Sequence, residues 1–349
     1  MLILSNFNNL KHYILPSDLL LTMLEAYKNI GMTSVYLEQI EEIKDKLSDD
    51  SLNEDAYYLA DLLNLDVKEQ RKQLILYKES TPRNQQEELL LNIKRTLRLI
   101  RKDATLYPLN AAELLGYVNH IFGKHKFNYT TKAFTAIENK KVNRKSIRML
   151  INECFDEYDE YLANNKYESI ILSITLYLDI INLEPYNGMN GFAGIIGLYY
   201  LLIQNKVTIF KYQSFFKLLH KYYEKFLEET KNASINYTEG FITSSNLSRL
   251  IFDIIIEAYN KIDEINKHWE YQNKGLKSDN VESTIYKLPE FFTKDDVRRA
   301  NPNVSDATIN RILNKLRDDG VIMPLGTGRS AKWRKNPDNE VPLSRYFGD

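Results

Sequence analysis

The residues best placed to do chemistry lie in one short run, Glu184-Pro185-Tyr186-Asn187-Gly188-Met189-Asn190-Gly191. It is polar and rich in Asn and Gly. The stretches on either side, 170–183 and 192–203, are apolar nearly all round, the pattern of helices buried on every face. Loops usually stay on the surface because backbone polar groups need partners. A polar loop between two central helices is therefore either a plain helix–turn–helix corner or a site. Its second half enters a helix N-terminus, where free N–H groups and the helix dipole favour an anion. Glu184 supplies the run's carboxylate, which would serve as a general base if burial raised its pKa.

A second group of candidate residues lies near the C-terminus. Arg329, Lys332, Arg334 and Lys335 form a basic cluster with no acid until Asp338, a composition suited to backbone phosphates. Before it, Thr293 is a good N-cap for a helix over Lys294 to Ala300. Ser305 caps the next, with Ala307, Ile309, Ile312, Leu313 and Leu316 facing inward. Asp306, Thr308, Asn310, Arg311, Asn314, Lys315 and Arg317 face outward. Val321 to Leu325 and Ser330 to Arg334 read as strands around a Gly326-Thr327-Gly328 tip. Helix, turn, helix and two-stranded wing is the winged-helix order. DNA is the partner this order suggests, through Ser305, Thr308, Arg311, Lys315, Arg329, Lys332 and Arg334. The alternative is protein contact or dimerisation. Asp295, Asp296, Asp318 and Asp319 offset much of the domain's positive charge.

Other chemistry is poorly supplied. His120 and His125 are five apart and do not share a helix face, and Cys154 is the only cysteine, so no metal site is expected and no intrachain disulfide can form. Cys154 reads as a small buried apolar residue. Lys and Arg number 46 against 47 Asp and Glu, which leaves no global field to draw nucleic acid or membrane. The most apolar run is far shorter than the ~20 residues that span a bilayer, and the first residues lack a signal-peptide pattern. The expectation is a cytoplasmic chain, not in a membrane, with no cofactor.

Helical periodicity dominates the rest. Leu19, Leu20, Met23, Leu24 and Tyr27 form one stripe, and Leu89, Leu90, Ile93, Leu97 and Ile100 another. Residues 111–122 read as a helix ending at Gly123. Residues 127–139 favour strand and read as a short hairpin or flap, and helix resumes from Ser146. The reading is mostly α. It has a helical extension over 1–105, a central domain over 106–270, a polar linker over 271–280 and a C-terminal domain over 281–349.

The central loop resembles the signature of the Fic family, His-Pro-Phe-x-(Asp/Glu)-Gly-Asn-Gly-Arg-x-Gly-Arg. Pro185, Asn190, Gly191 and Gly194 match it, and Tyr186 stands in for Phe. The flanking helices and the hairpin upstream, where the family has its substrate-binding flap, fit as well. The resemblance covers roughly residues 100–230 and implies a helical Fic-like domain joined to a winged helix. Active members transfer a nucleotide monophosphate to a protein hydroxyl, and the departures fall on the residues that do this. Glu184 stands where the family has its base, Gly188 where an acid holds Mg²⁺, and Met189 where a Gly lets the backbone approach phosphate. Phe192 and Ile195 replace the two Arg.

Each lost charge-assisted hydrogen bond to phosphate removes on the order of 1.5–3 kcal/mol. A carboxylate at Glu184, ~4 Å from a phosphate oxygen, would add repulsion of roughly 4 kcal/mol at an effective dielectric near 20. Some family members also carry a self-inhibitory Ser/Thr-x-x-x-Glu-(Gly/Asn) helix. Ser34-Val35-Tyr36-Leu37-Glu38-Gln39 is its nearest match here, with Gln at the end. The reading is a catalytically inactive Fic-like regulatory or DNA-binding protein, with homodimerisation expected if DNA is the target. The alternatives are an atypical transferase using Glu184, and a protein-interaction module.

Overall fold

The computed structural model describes residues 7, 10, 13–138, 141–235, 237, 244–302, 304–326 and 332–336. It is mostly helical, with two small antiparallel sheets among the described residues. Two compact units divide the chain, Met1–Glu264 and Ile265–Asp349.

The first unit runs through α1 (Ser17–Gly31), α2 (Thr33–Gln39), α3 (Lys44–Leu62), α4 (Glu69–Lys78), α5 (Gln85–Asp103) and α6 (Ala111–Phe122). The hairpin β1 (Ala133–Glu138) and β2 (Lys141–Ser146) follows, with Ala133 opposite Ser146 and Glu138 opposite Lys141. Next come α7 (Ile147–Ala163), α8 (Ser169–Leu183), α9 (Asn190–Gln204), a 3-10 turn at Thr208–Lys211, α10 (Phe215–Lys221) and α11 (Tyr223–Ser234). Helix α12 (Ser245–Lys287) begins in this unit and continues into the second.

The apolar runs became the core as their composition dictates. Every residue of α9 from Phe192 to Ile203 is buried, and α8 is buried along most of its length. Gly194 lets the two meet: a Cβ there would stand 2.9 Å from Ile181 Cδ1 and 3.1 Å from the Tyr177 ring. On α5 the buried positions Leu90, Ile93, Leu97 and Ile100 follow the expected stripe. On α1 the inward face is Leu19, Met23 and Ala26, whereas Leu20 and Leu24 are exposed, so that stripe is narrower than the sequence suggested.

The break expected at 105/106 does not exist as a boundary between bodies. Asp55 of α3 is fully buried and accepts from Arg101 Nη2 of α5 (2.8 Å), Tyr199 Oη of α9 (3.0 Å), Ser214 Oγ (2.7 Å) and the Phe216 N–H (3.0 Å). Arg101 also donates to Tyr199 Oη and to the carbonyls of Ser48 and Lys211. A buried ion pair is tolerable only when its remaining hydrogen-bonding capacity is met, and here that requires both sides of the supposed boundary.

The linker expected over 271–280 is helical and part of α12. Gly275 costs a helix about 1 kcal/mol relative to Ala, but no Pro interrupts the run, and extending an existing helix is far easier than nucleating a new one.

The second unit continues with β3 (Phe291–Thr293), α13 (Lys294–Ala300), α14 (Asp306–Asp318), β4 (Ile322–Pro324) and β5 (Lys332–Lys335). The strands form one antiparallel sheet in the order β3-β5-β4. Thr293 caps α13 in a reciprocal box with Asp296, and Ser305 Oγ accepts from the Thr308 N–H at 3.3 Å. Val281, Ile285, Phe292, Val297, Ile309, Ile312, Leu313, Leu316 and Ile322 make its core. Among the described residues no helix is long and apolar enough to cross a membrane.

Candidate functional site

The α8–α9 loop is held from three directions. Asn190 Oδ1 accepts from the Tyr186 N–H and its Nδ2 donates to the Tyr186 carbonyl, both at 2.9 Å, which ties the loop into a closed turn. The Tyr186 hydroxyl reaches down to the Ala111 carbonyl at the start of α6 (2.7 Å), and burial holds it well above the usual phenol range. On the third side runs the chain ahead of the hairpin. Thr130 N–H donates to the Pro185 carbonyl (2.8 Å) and Asn187 N–H to the Asn128 carbonyl (2.9 Å), with Tyr129 and Tyr186 forming a β-bridge. Residues 127–130, expected as the first part of the hairpin, instead edge the loop, and the hairpin proper begins at Ala133.

Asn119 of α6 fixes that edge, giving Nδ2–H to the Phe127 carbonyl (3.0 Å) and accepting the Phe127 N–H (2.7 Å). The Phe127 ring is thereby pressed on Gly188: a Cβ at Gly188 would meet it at 3.0 and 3.2 Å. Phe122 stands edge-on to both Phe127 (5.4 Å) and Phe192 (5.7 Å). An aromatic cluster thus fills the ground beneath the loop.

Glu184 ends α8 in the left-handed region (φ 48°), and its side chain is 58% exposed and 3.2 Å from Lys132 Nζ. The desolvation that the general-base reading requires is missing. Met189 is also left-handed (φ 59°) and half-buried at the entry to α9. Phe192 is buried, while Gly191 is exposed with open space where a side chain would be. Pro185 and Tyr186 are buried, and Gly194 serves helix packing as described. This donor set does not fit a metal or a nucleotide phosphate. Gly188 has no carboxylate, a side chain there would need the Phe127 ring to give by a few tenths of an ångström, and Phe192 turns an aromatic ring into the core. Among the described residues no group of His, Cys, Asp or Glu is arranged to hold a metal ion. Glu38, in the nearest match to a self-inhibitory helix, is exposed on α2, whose Tyr36 packs on Tyr259 of α12.

In the second unit, Asn310, Arg311, Asn314, Lys315, Asp318 and Asp319 lie along the exposed, nearly flat face of α14, joined by Ala307, which the sequence had placed inward. Thr308 is half-buried and bonded to Ser305 Oγ at 3.0 Å. Lys315 Nζ lies 3.3 Å from Glu282. Lys332 is exposed on β5. Arg334 is paired with Glu290 at 2.9 Å and stacked over Phe291, so the cluster that lacks acids in sequence has one in space. Lys335 donates to the Tyr286 carbonyl (2.7 Å) near the end of α12. Arg329 lies outside the described residues.

Asn119, Phe122 and Phe127 define the ground beneath the loop, and sequence reading missed them. Their spacing carries no motif; only Phe127, as the first residue of a strand-like run beside the loop's partner segment, offered a hint.

No protein-family model and no curated protein matches the chain. Solved structures do. A Fic family protein from Desulfovibrio desulfuricans superposes with a TM-score of 0.55 at 13% identity, covering 94% of this chain and 99% of the other. A Fic domain containing signaling protein from Bacteroides thetaiotaomicron gives 0.51 at 12% identity, over 69% and 98%. The fold is that of Fic proteins.

Proposed function

We propose that this chain is a Fic-fold protein without nucleotide-transfer chemistry, acting as a regulatory module that contacts DNA through a C-terminal winged helix. The observation that carries the first half is the Phe122–Phe127–Phe192 cluster. It fills the space that, on the Fic resemblance, an acid-bound metal and an arginine-gripped phosphate would need. Glu184 is exposed and paired with Lys132, which argues against the atypical-transferase alternative.

The DNA half is supported by the exposed face of α14, which alternates short amides with Arg311 and Lys315. Short polar side chains on an exposed helix suit base edges, and Lys332 on β5 suits a phosphate. The pairing of Arg334 with Glu290 and of Arg298 with Asp306 favours the second reading, protein contact, because it removes charge that phosphates would otherwise meet.

Two assays test the proposal on the full chain. Incubation with labelled ATP, GTP, CTP and UTP plus Mg²⁺ or Mn²⁺ is expected to leave no label on protein; label that disappears in Glu184→Gln would overturn this. A pool of random genomic fragments at low salt is expected to shift. Lys332→Ala should then lower the salt slope by roughly one, and Arg311→Ala should relax preference at one base pair by ~1–3 kcal/mol. No shift at low salt would leave the protein-contact reading standing.

A further inference from the structure

Away from the loop, α5, α6 and α9 enclose an open cleft of about 520 Å³ lined by Tyr107, Tyr117, Tyr200, Asp103, Glu113 and His120. That is the volume range of small-molecule sites. The hydrogen bonds already made in its walls decide what it can accept. Tyr117 gives its hydroxyl hydrogen to Asp103 Oδ2 (2.8 Å), and Tyr200 gives its own to the Tyr107 carbonyl (3.0 Å).

His120 follows by elimination. Thr96 Oγ1 donates to the Asn92 carbonyl (2.7 Å), so at 2.7 Å from His120 Nδ1 it can only accept. In the neutral ring the hydrogen is therefore on Nδ1, and Nε2 is a lone pair. Asp103 Oδ1 and the Glu113 carboxylate receive no hydrogen bond from the described residues. Of the three tyrosine hydroxyls in the lining, those of Tyr117 and Tyr200 are thus committed and that of the exposed Tyr107 is not, while the acceptors stand open and no Lys or Arg lines the cleft. Its walls are tyrosine rings, with Tyr117 and Tyr200 5.9 Å apart and Tyr107 59% exposed. The negative field is felt locally: burial first, then Glu113 and Asp103, push the Tyr200 hydroxyl up to about 12.

We infer that this cleft binds a small organic cation, a primary ammonium or guanidinium carried on an apolar or flat body. Its N–H donors would meet Asp103, Glu113 and His120 Nε2, and its body would lie against the tyrosines, where ring faces attract cations. The inference is independent of the reading of the Fic loop.

Saturation-transfer NMR and calorimetry on the full chain test it with phenethylamine, its neutral counterpart phenethyl alcohol, and Nα-acetyl-lysinamide. Phenethylamine is expected to bind saturably, the alcohol at least tenfold more weakly. Asp103→Asn should weaken the amine at least tenfold, with a melting curve taken as the control for folding. Tyr117→Phe, which keeps both carboxylates and frees Asp103 Oδ2, should bind as well as the parent or better. Preference for phenethylamine over acetyl-lysinamide points to a free amine; the reverse points to a lysine presented by a partner protein. Absence of saturable binding by either cation, equal binding of the alcohol, or loss of binding in Tyr117→Phe would overturn the inference.

Discussion

Helix α9 carries two regions of opposite character. Toward its end, Tyr199 joins Asp55 and Arg101 in a buried polar network whose charges are all answered. At its start, where the Fic resemblance would place charge for phosphate, there is Phe192 against Phe122, with Phe127 against Gly188. Buried polarity stands where it holds the helices together, and aromatic packing stands where the Fic resemblance would place phosphate-binding groups. The same helix thus carries a polar anchor and an aromatic cluster, because the two fall on different turns.

Breaking the network should have the largest effect. Asp55→Ala strands the Arg101 guanidinium in the core and is expected to destabilise the chain by ~3–5 kcal/mol in denaturant titration. A loss below about 1 kcal/mol would mean that water reaches the site and the contrast with the loop is false.

The loop offers a middle case. Gly188→Asp restores the acid of the Fic pattern but drives its Cβ into the Phe127 ring, so it should cost ~1–3 kcal/mol. In the Phe127→Ala background the added cost should shrink, a coupling that a double-mutant cycle reads directly. Additive costs would show that Phe127 does not occupy that space. Asn190→Ala, which removes the clamp on the Tyr186 backbone, should cost ~1–2 kcal/mol in the same titration.

Glu184 is expected to matter least. Its ion pair with Lys132 is largely exposed, and Glu184→Gln should change stability by less than about 1 kcal/mol. Nor should Glu184→His produce any nucleotide labelling, since the aromatic cluster remains. Labelling from that one substitution would mean that a phosphate grip exists elsewhere in the molecule.

Much of this was legible from local pattern. The two all-apolar helices, the polar loop between them and the caps at Thr293 and Ser305 depend on residues within a few positions of one another. The likeness of the loop to a Fic motif, and the residues that depart from it, were also plain in sequence. What was misread depends on distance. The linker at 271–280 was judged by its polarity, yet polarity alone does not stop a helix already under way. The basic cluster reads as free of acids in sequence because Glu290 is 44 residues from Arg334 along the chain.

The sequence by itself determined the helices, their caps and the absence of a His, an acid and two Arg from the motif, because periodicity, capping and residue identity are local properties. Only the tertiary structure decided what replaced the missing groups. Phe127 reaches Gly188 because Asn119, on another element, holds its backbone, and Glu184 is exposed because α8 ends there in a left-handed turn beside Lys132. Asp55 and Arg101, unremarkable on amphipathic helices, became a buried pair only when α9 and the Ser214 turn closed over them. Such pairings form between segments far apart in the chain, and their energies depend on burial, which no local pattern records.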